Sequence, residues 1–139
     1  MTDDTIELLE AIKRAKRVYV IGNGGSYANA AHICNDLLDI GIKAFTIDPA
    51  TLSAFANDYG WENALERWVR IVGEPGDLLV AMSGSGTSKN ILNAVAGASV
   101  LGMSVFQLYG AARGETMGQA EEAQIEIGHW IRACIQPMS

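Results

Sequence analysis

Apolar positions along the chain recur at two different spacings, and the switches between them mark out its elements. Ile6, Leu9 and Ile12 fall at helical spacing behind a candidate cap at Thr2 or Asp3, which predicts a helix over residues 2–17. Residues 18–21 are a short apolar run stopped by Gly22, a predicted strand. Ser26 is placed to cap a second helix reaching about residue 39, with Ala30, Cys34, Leu37 and Leu38 on its inner face. Residues 43–47 predict the next strand, closed by Pro49, followed by a short helix over 51–56 and a turn at 57–60. Trp61, Leu65, Trp68, Val69 and Val72 share one helical face, and the Gly and Pro residues of 73–77 force a turn. Residues 78–82 are almost continuously apolar, as in a parallel strand covered on both sides. A small-polar loop at 83–88 leads into a helix through about residue 101, and residues 103–108 give the last strand. After an irregular stretch at 109–119, a final helix spans about 120–135 with Ile127, Trp130, Ile131 and Cys134 facing inward.

This alternation predicts an α/β fold: a three-layer αβα sandwich around a parallel sheet of four or five strands, of flavodoxin type. Ligands of such sheets sit at the carboxyl ends of the strands, where both glycine-containing loops emerge. At 139 residues and 49% hydrophobic, the chain is expected to form one domain over 1–139. A net charge of -6 with scattered Lys and Arg argues against nucleic acid or an anionic membrane as the main partner. The local cluster Lys13, Arg14, Lys16 and Arg17 reads as the solvated end of a helix, where positive charge is favourable. Two cysteines make no disulfide framework, and neither a signal core nor a spanning segment is visible, so a reduced, cytoplasmic protein is expected. Both cysteines lie among apolar helix positions and read as core; the tryptophans read as core or subunit packing. Short apolar helices flanking a reduced sheet predict a homo-oligomer.

The chemistry is concentrated in two loops. In "IGNGGS", Asn23, Gly24, Gly25 and Ser26 let the backbone turn sharply and approach a ligand, with helix amides exposed beyond them. Taken alone, this stretch suits a dinucleotide, another phosphate ligand, or a structural turn. Asp48 is in range for a ribose contact, yet the spacing lacks the third glycine of a dinucleotide fingerprint. In "SGSGTS", Ser83, Ser85, Thr87 and Ser88 surround Gly84 and Gly86 at a helix start and can encircle a phosphate with neutral donors. Neither loop carries the Gly-Lys-Ser/Thr ending of a triphosphate loop, and no nucleotide cofactor is expected. His32 and Asp36, one helical turn apart, share a face. Asp58 lies in a turn, and His129 lies off the apolar stripe of the last helix. Each of these, taken singly, also reads as an ordinary solvated or capping residue.

Five blocks in order, "GNGGSYANAAH", "NDYGWENALERWV", "GDLLVAMSGSGTSKNILNAV", "LGMSVFQLYG" and "IGH", resemble the sugar isomerase (SIS) domain family, and within it the phosphoheptose isomerases. The resemblance covers residues 18–129. It implies conversion of sedoheptulose 7-phosphate to a heptose 7-phosphate in lipopolysaccharide or capsule synthesis, through an enediol. It implies sugar phosphate on Ser83, Gly84, Ser85 and Ser88, sugar near Asn23, Gly24, Gly25, Ser26 and Asp58, and assembly as a homodimer or homotetramer. Some family members hold zinc through residues that match His32, Asp36, Glu121 and His129; the acid and base positions match Asp36 and His129. Two of these depart from the pattern: Asp36 stands where the family has Glu, and Glu121 where it has Gln. Helical arithmetic keeps Glu122 as a rival to Glu121, since Glu122 and His129 are seven apart. The family also has a further strand and a long loop before the final helix, where this chain has only residues 109–119, with Arg113 as the cation there. A phosphosugar-binding module without turnover, or an isomerase for another phosphosugar, is the alternative.

Overall fold

The structure is a computed structural model, and it describes residues 3–109 and 116–135. Thr2 and Arg113 lie outside the described residues. In chain order the elements are α1 (Asp3–Arg14), β1 (Val18–Ile21), α2 (Gly25–Asp39), β2 (Ala44–Phe45), α3 (Pro49–Tyr59), α4 (Trp61–Val72), β3 (Leu78–Ser83), α5 (Lys89–Val100), β4 (Ser104–Tyr109) and α6 (Met117–Cys134). The four strands form one parallel sheet in the order β2-β1-β3-β4. The chain therefore leaves β1 toward one edge and returns to build the other, and the loops after β1 and β3 flank this switch point.

Alternation along the strands splits the core into two layers. Val18 and Val20 of β1 with Leu78, Val80 and Met82 of β3 face α1, α2 and α6, while Tyr19, Ile21, Leu79 and Ala81 face α4 and α5. That is the expected three-layer sandwich, with four strands. Right-handed crossovers account for it: the connection from β1 to β2 runs opposite in direction to the later ones, so α2 lands on the opposite face from α4 and α5.

Several local expectations are corrected. The buried stripe of α1 is Thr5, Leu8, Leu9 and Ile12, whereas Ile6 faces out, because at 100° per residue it points roughly 110° away from the centre of that stripe. Leu38 and Trp61, read as inward, are both exposed, and so is Cys134 near the end of the last helix. Ile127 and Trp130 only flank the core, since the buried row of α6 is Ala120, Gln124, Gly128 and Ile131. The second strand shrinks to Ala44–Phe45. Pro49 begins a helix rather than merely ending a strand, because Asp48 caps it, accepting from the amides of Ala50 and Thr51 at 2.9 and 3.3 Å. That helix absorbs residues 57–59, predicted as turn.

Candidate functional site

β1 and β3 are neighbours, so the glycine loop and the serine loop emerge side by side. Asn23 and Asn90 lock them together with reciprocal amide hydrogen bonds of 3.0 and 2.8 Å; Asn90 is buried in the first turn of α5. The N-cap of α2 is Gly24 rather than Ser26, and the helix begins at Gly25. Gly24 has φ +55° with open space at its Cβ position, whereas a Cβ on Gly22 would lie 2.7 Å from Ser26. Ser26 does not cap the helix: its hydroxyl is buried and accepts from Gln124 Nε2 at 3.0 Å.

The serine loop is organised by its own hydroxyls. Ser83 Oγ accepts from the Gly86 amide at 3.0 Å and lies 3.3 Å from Ser85 Oγ, which in turn lies 3.4 Å from Ser88 Oγ and accepts from the Thr87 amide at 3.2 Å. Gly86 has φ +71° and rests against the Tyr109 ring. Burial pushes the Tyr109 phenol above its ordinary pKa. The start of α6 closes over both loops: Met117 leaves no room for a Cβ on Gly84, and the Glu121 carboxylate leaves none on Gly25. Gln124 and the Glu121 carbonyl both take hydrogen bonds from Asn29 on α2, at 3.0 and 2.9 Å.

One to two turns further along the seam between α2 and α6, His32, Asp36 and His129 converge. Their donor atoms all lie within 4.8 Å of one another. The two imidazole Nε2 atoms are 3.2 Å apart, and Asp36 Oδ2 lies 3.2 Å from His32 Nε2 and 4.0 Å from His129 Nε2. Asp36 is buried, while both histidines are about half exposed. The contact with His32 is close but misaligned, so Oδ2 is left buried without a hydrogen bond. Donors on one tetrahedral zinc at about 2.0–2.1 Å sit roughly 3.3 Å apart. The spacing, the N/O donor set and the orphaned Oδ2 therefore fit a metal ion, and the cluster can hold one.

Of the remaining sequence candidates, Glu121 faces the glycine loop and Glu122 faces solvent; neither belongs to the His-Asp-His cluster. Asp58 is exposed at the end of α3, where Asn57 donates to it. Asn90, Gln124, Asn29 and Arg132 were missed by sequence reasoning. Gln124 left a signal, as a polar residue on the buried row of α6, and Arg132 sits one turn after His129; Asn90 left none.

The SIS domain model matches residues 6–110. The phosphoheptose isomerase of Thiobacillus denitrificans is 34% identical over 128 residues, covering 86% of this chain and 65% of that one. That of Campylobacter concisus is 37% identical over 136 residues, covering 91% and 71%. This chain spans about two thirds of the length of such relatives. The solved phosphoheptose isomerase of Neisseria gonorrhoeae superposes with a TM-score of 0.90 at 26% identity, covering 97% of this chain and 87% of that one.

Proposed function

The chain belongs to the SIS domain family, within its phosphoheptose isomerase branch, and from that premise we propose that it interconverts a ketose phosphate and an aldose phosphate. The substrate is sedoheptulose 7-phosphate and the product a heptose 7-phosphate. The carrying observation is the convergence of His32, Asp36 and His129 beside two loops locked to each other by Asn23 and Asn90. Ser83, Gly84, Ser85 and Ser88 hold the phosphate through hydroxyls and loop amides. Asn23, Gly24, Gly25 and Ser26 shape the sugar side, with Ser26 acting from within through Gln124.

Asp36 removes the proton from the carbon beside the carbonyl, giving an enediol, and His129 returns a proton to the neighbouring carbon. His32 helps to hold the oxygens, and the proton lost by the hydroxyl oxygen of one carbon is gained by the carbonyl oxygen of the other. A zinc ion held by His32, Asp36 and His129 would supply positive charge toward those oxygens, while Glu121, more than two turns before His129, stays at the glycine loop. The finer expectations follow the same reading: a single phosphosugar-binding unit, cytoplasmic, assembled as a homodimer or homotetramer.

The test is NMR of sedoheptulose 7-phosphate with the purified protein, with and without zinc. Turnover that falls about 10²–10⁴-fold in Asp36→Asn, while the sugar phosphate still binds, is the expected result. Full turnover in that variant removes Asp36 from its role as base. A second reading, phosphosugar binding without chemistry, is favoured by one observation: an Asp36 oxygen is already committed to Arg132. Binding without turnover in zinc-replete wild type supports it.

A further inference from the structure

Asp36 has a second neighbour besides the histidines. Arg132 Nη1 donates to Asp36 Oδ1 at 2.8 Å, and Nη2 of the same guanidinium pairs with Asp39. The fork spans two helices. Asp36 and Asp39 lie one turn apart on α2, and Arg132 lies one turn beyond His129 on α6. The planar guanidinium thus holds two carboxylates in fixed directions, which a lysine ammonium cannot do.

The consequence falls on the two oxygens of Asp36. Oδ1 is taken by Arg132, so the carboxylate cannot rotate freely about its last bond. Oδ2 is then presented to the His32 and His129 nitrogens, buried and without a hydrogen bond. Aspartate also has a short stem, and nothing in its own two side-chain torsions selects the working oxygen. We infer that Arg132 is a positioning residue: it makes Asp36 single-edged, with Oδ2 as the oxygen that works at the histidine cluster. This rests on the isomerase reading only for its kinetic consequence.

Three measurements on the full chain test it: zinc affinity by competition with a chromophoric chelator, kcat and KM for sedoheptulose 7-phosphate, and the thermal midpoint. In Arg132→Leu, zinc affinity is expected to fall about 10–100-fold, the usual effect of removing a partner that orients a metal ligand. kcat falls at least about tenfold, while KM stays within about threefold because the phosphate loop is untouched. Arg132→Lys recovers only part of the zinc affinity, having charge without the fork, and it carries the test if Arg132→Leu does not fold. A mere tie between helices predicts something else: unchanged zinc affinity in both variants, and an equal loss of thermal midpoint in Asp39→Asn, which cuts the other tine. That pattern overturns the proposal, and so does a wild-type protein that binds no zinc. A wild type that binds zinc and shows the affinity loss, yet turns over no sugar phosphate, supports the proposal and defeats the isomerase reading alone.

Discussion

The two cysteines look alike in sequence, each set among apolar helix neighbours, and the fold separates them. Cys34 is buried against the sheet, and burial pushes its thiol up to about 12. Cys134 is exposed near the end of α6. One equivalent of a chromogenic disulfide reagent should therefore react with native protein at pH 8, and two after denaturation. Two fast equivalents in native protein would place Cys34 at the surface. The raised pKa also has a linkage consequence, with a definite sign. Between the unfolded value of about 8.5 and the folded value of about 12, the native state keeps a proton that the unfolded state loses. The contribution of Cys34 to stability is complete below about pH 8.5 and is lost as pH climbs through that window. At this scale the sequence was legible for residue type and ambiguous for address: His32, Asp36 and His129 could be singled out, but Ser26 was expected at a cap and is a buried acceptor for Gln124.

At the scale of elements, the site exists because α2 and α6 approach closely, and Gly128 is where they do so. A Cβ there would lie 2.7 Å from Ile33 Cγ1 and 3.2 Å from its Cδ1. Gly128→Ala gains about 1 kcal/mol of intrinsic helix propensity. Overpacking at a buried contact costs typically 1–3 kcal/mol, and here the displaced neighbour is a β-branched core residue, so a net loss is expected. His129 is the next residue, so zinc affinity should fall together with the thermal midpoint. Gly128→Ala combined with Ile33→Ala restores the space and should recover part of the zinc affinity but not the thermal midpoint, because truncating this core isoleucine itself costs about 2–5 kcal/mol. A more stable variant with native zinc affinity would mean the seam has slack. Element existence was readable from periodicity throughout, while ends were not: the short second strand and the long α3 were decided by an edge position and by the Asp48 cap.

At the scale of the molecule, Trp61, Ile71 and Val100 lie at the surface of the chain with relative exposures of 51%, 62% and 87%. Scattered apolar residues are ordinary, but α3 buries none of its own residues fully, its last residue Tyr59 is exposed, and so is Phe45 on the edge strand β2. Sedimentation equilibrium is expected to give a mass that is a multiple of 14.8 kDa at micromolar concentration. A monomer across the tested range would remove the oligomer from the functional reading. No helix among the described residues is long and apolar enough to cross a membrane. The sequence alone determined the alternation of strands and helices, the two anion-suited loops and the family, because periodicity, glycine placement and ordered blocks are properties of the chain read locally. Only the tertiary structure decided which residues meet. The Asn23–Asn90 lock, the support of Gln124 under Ser26 and the Arg132 fork on Asp36 join positions between 67 and 98 residues apart. Such contacts follow from the order of strands in the sheet and the angle at which α6 crosses α2, and no local pattern encodes either.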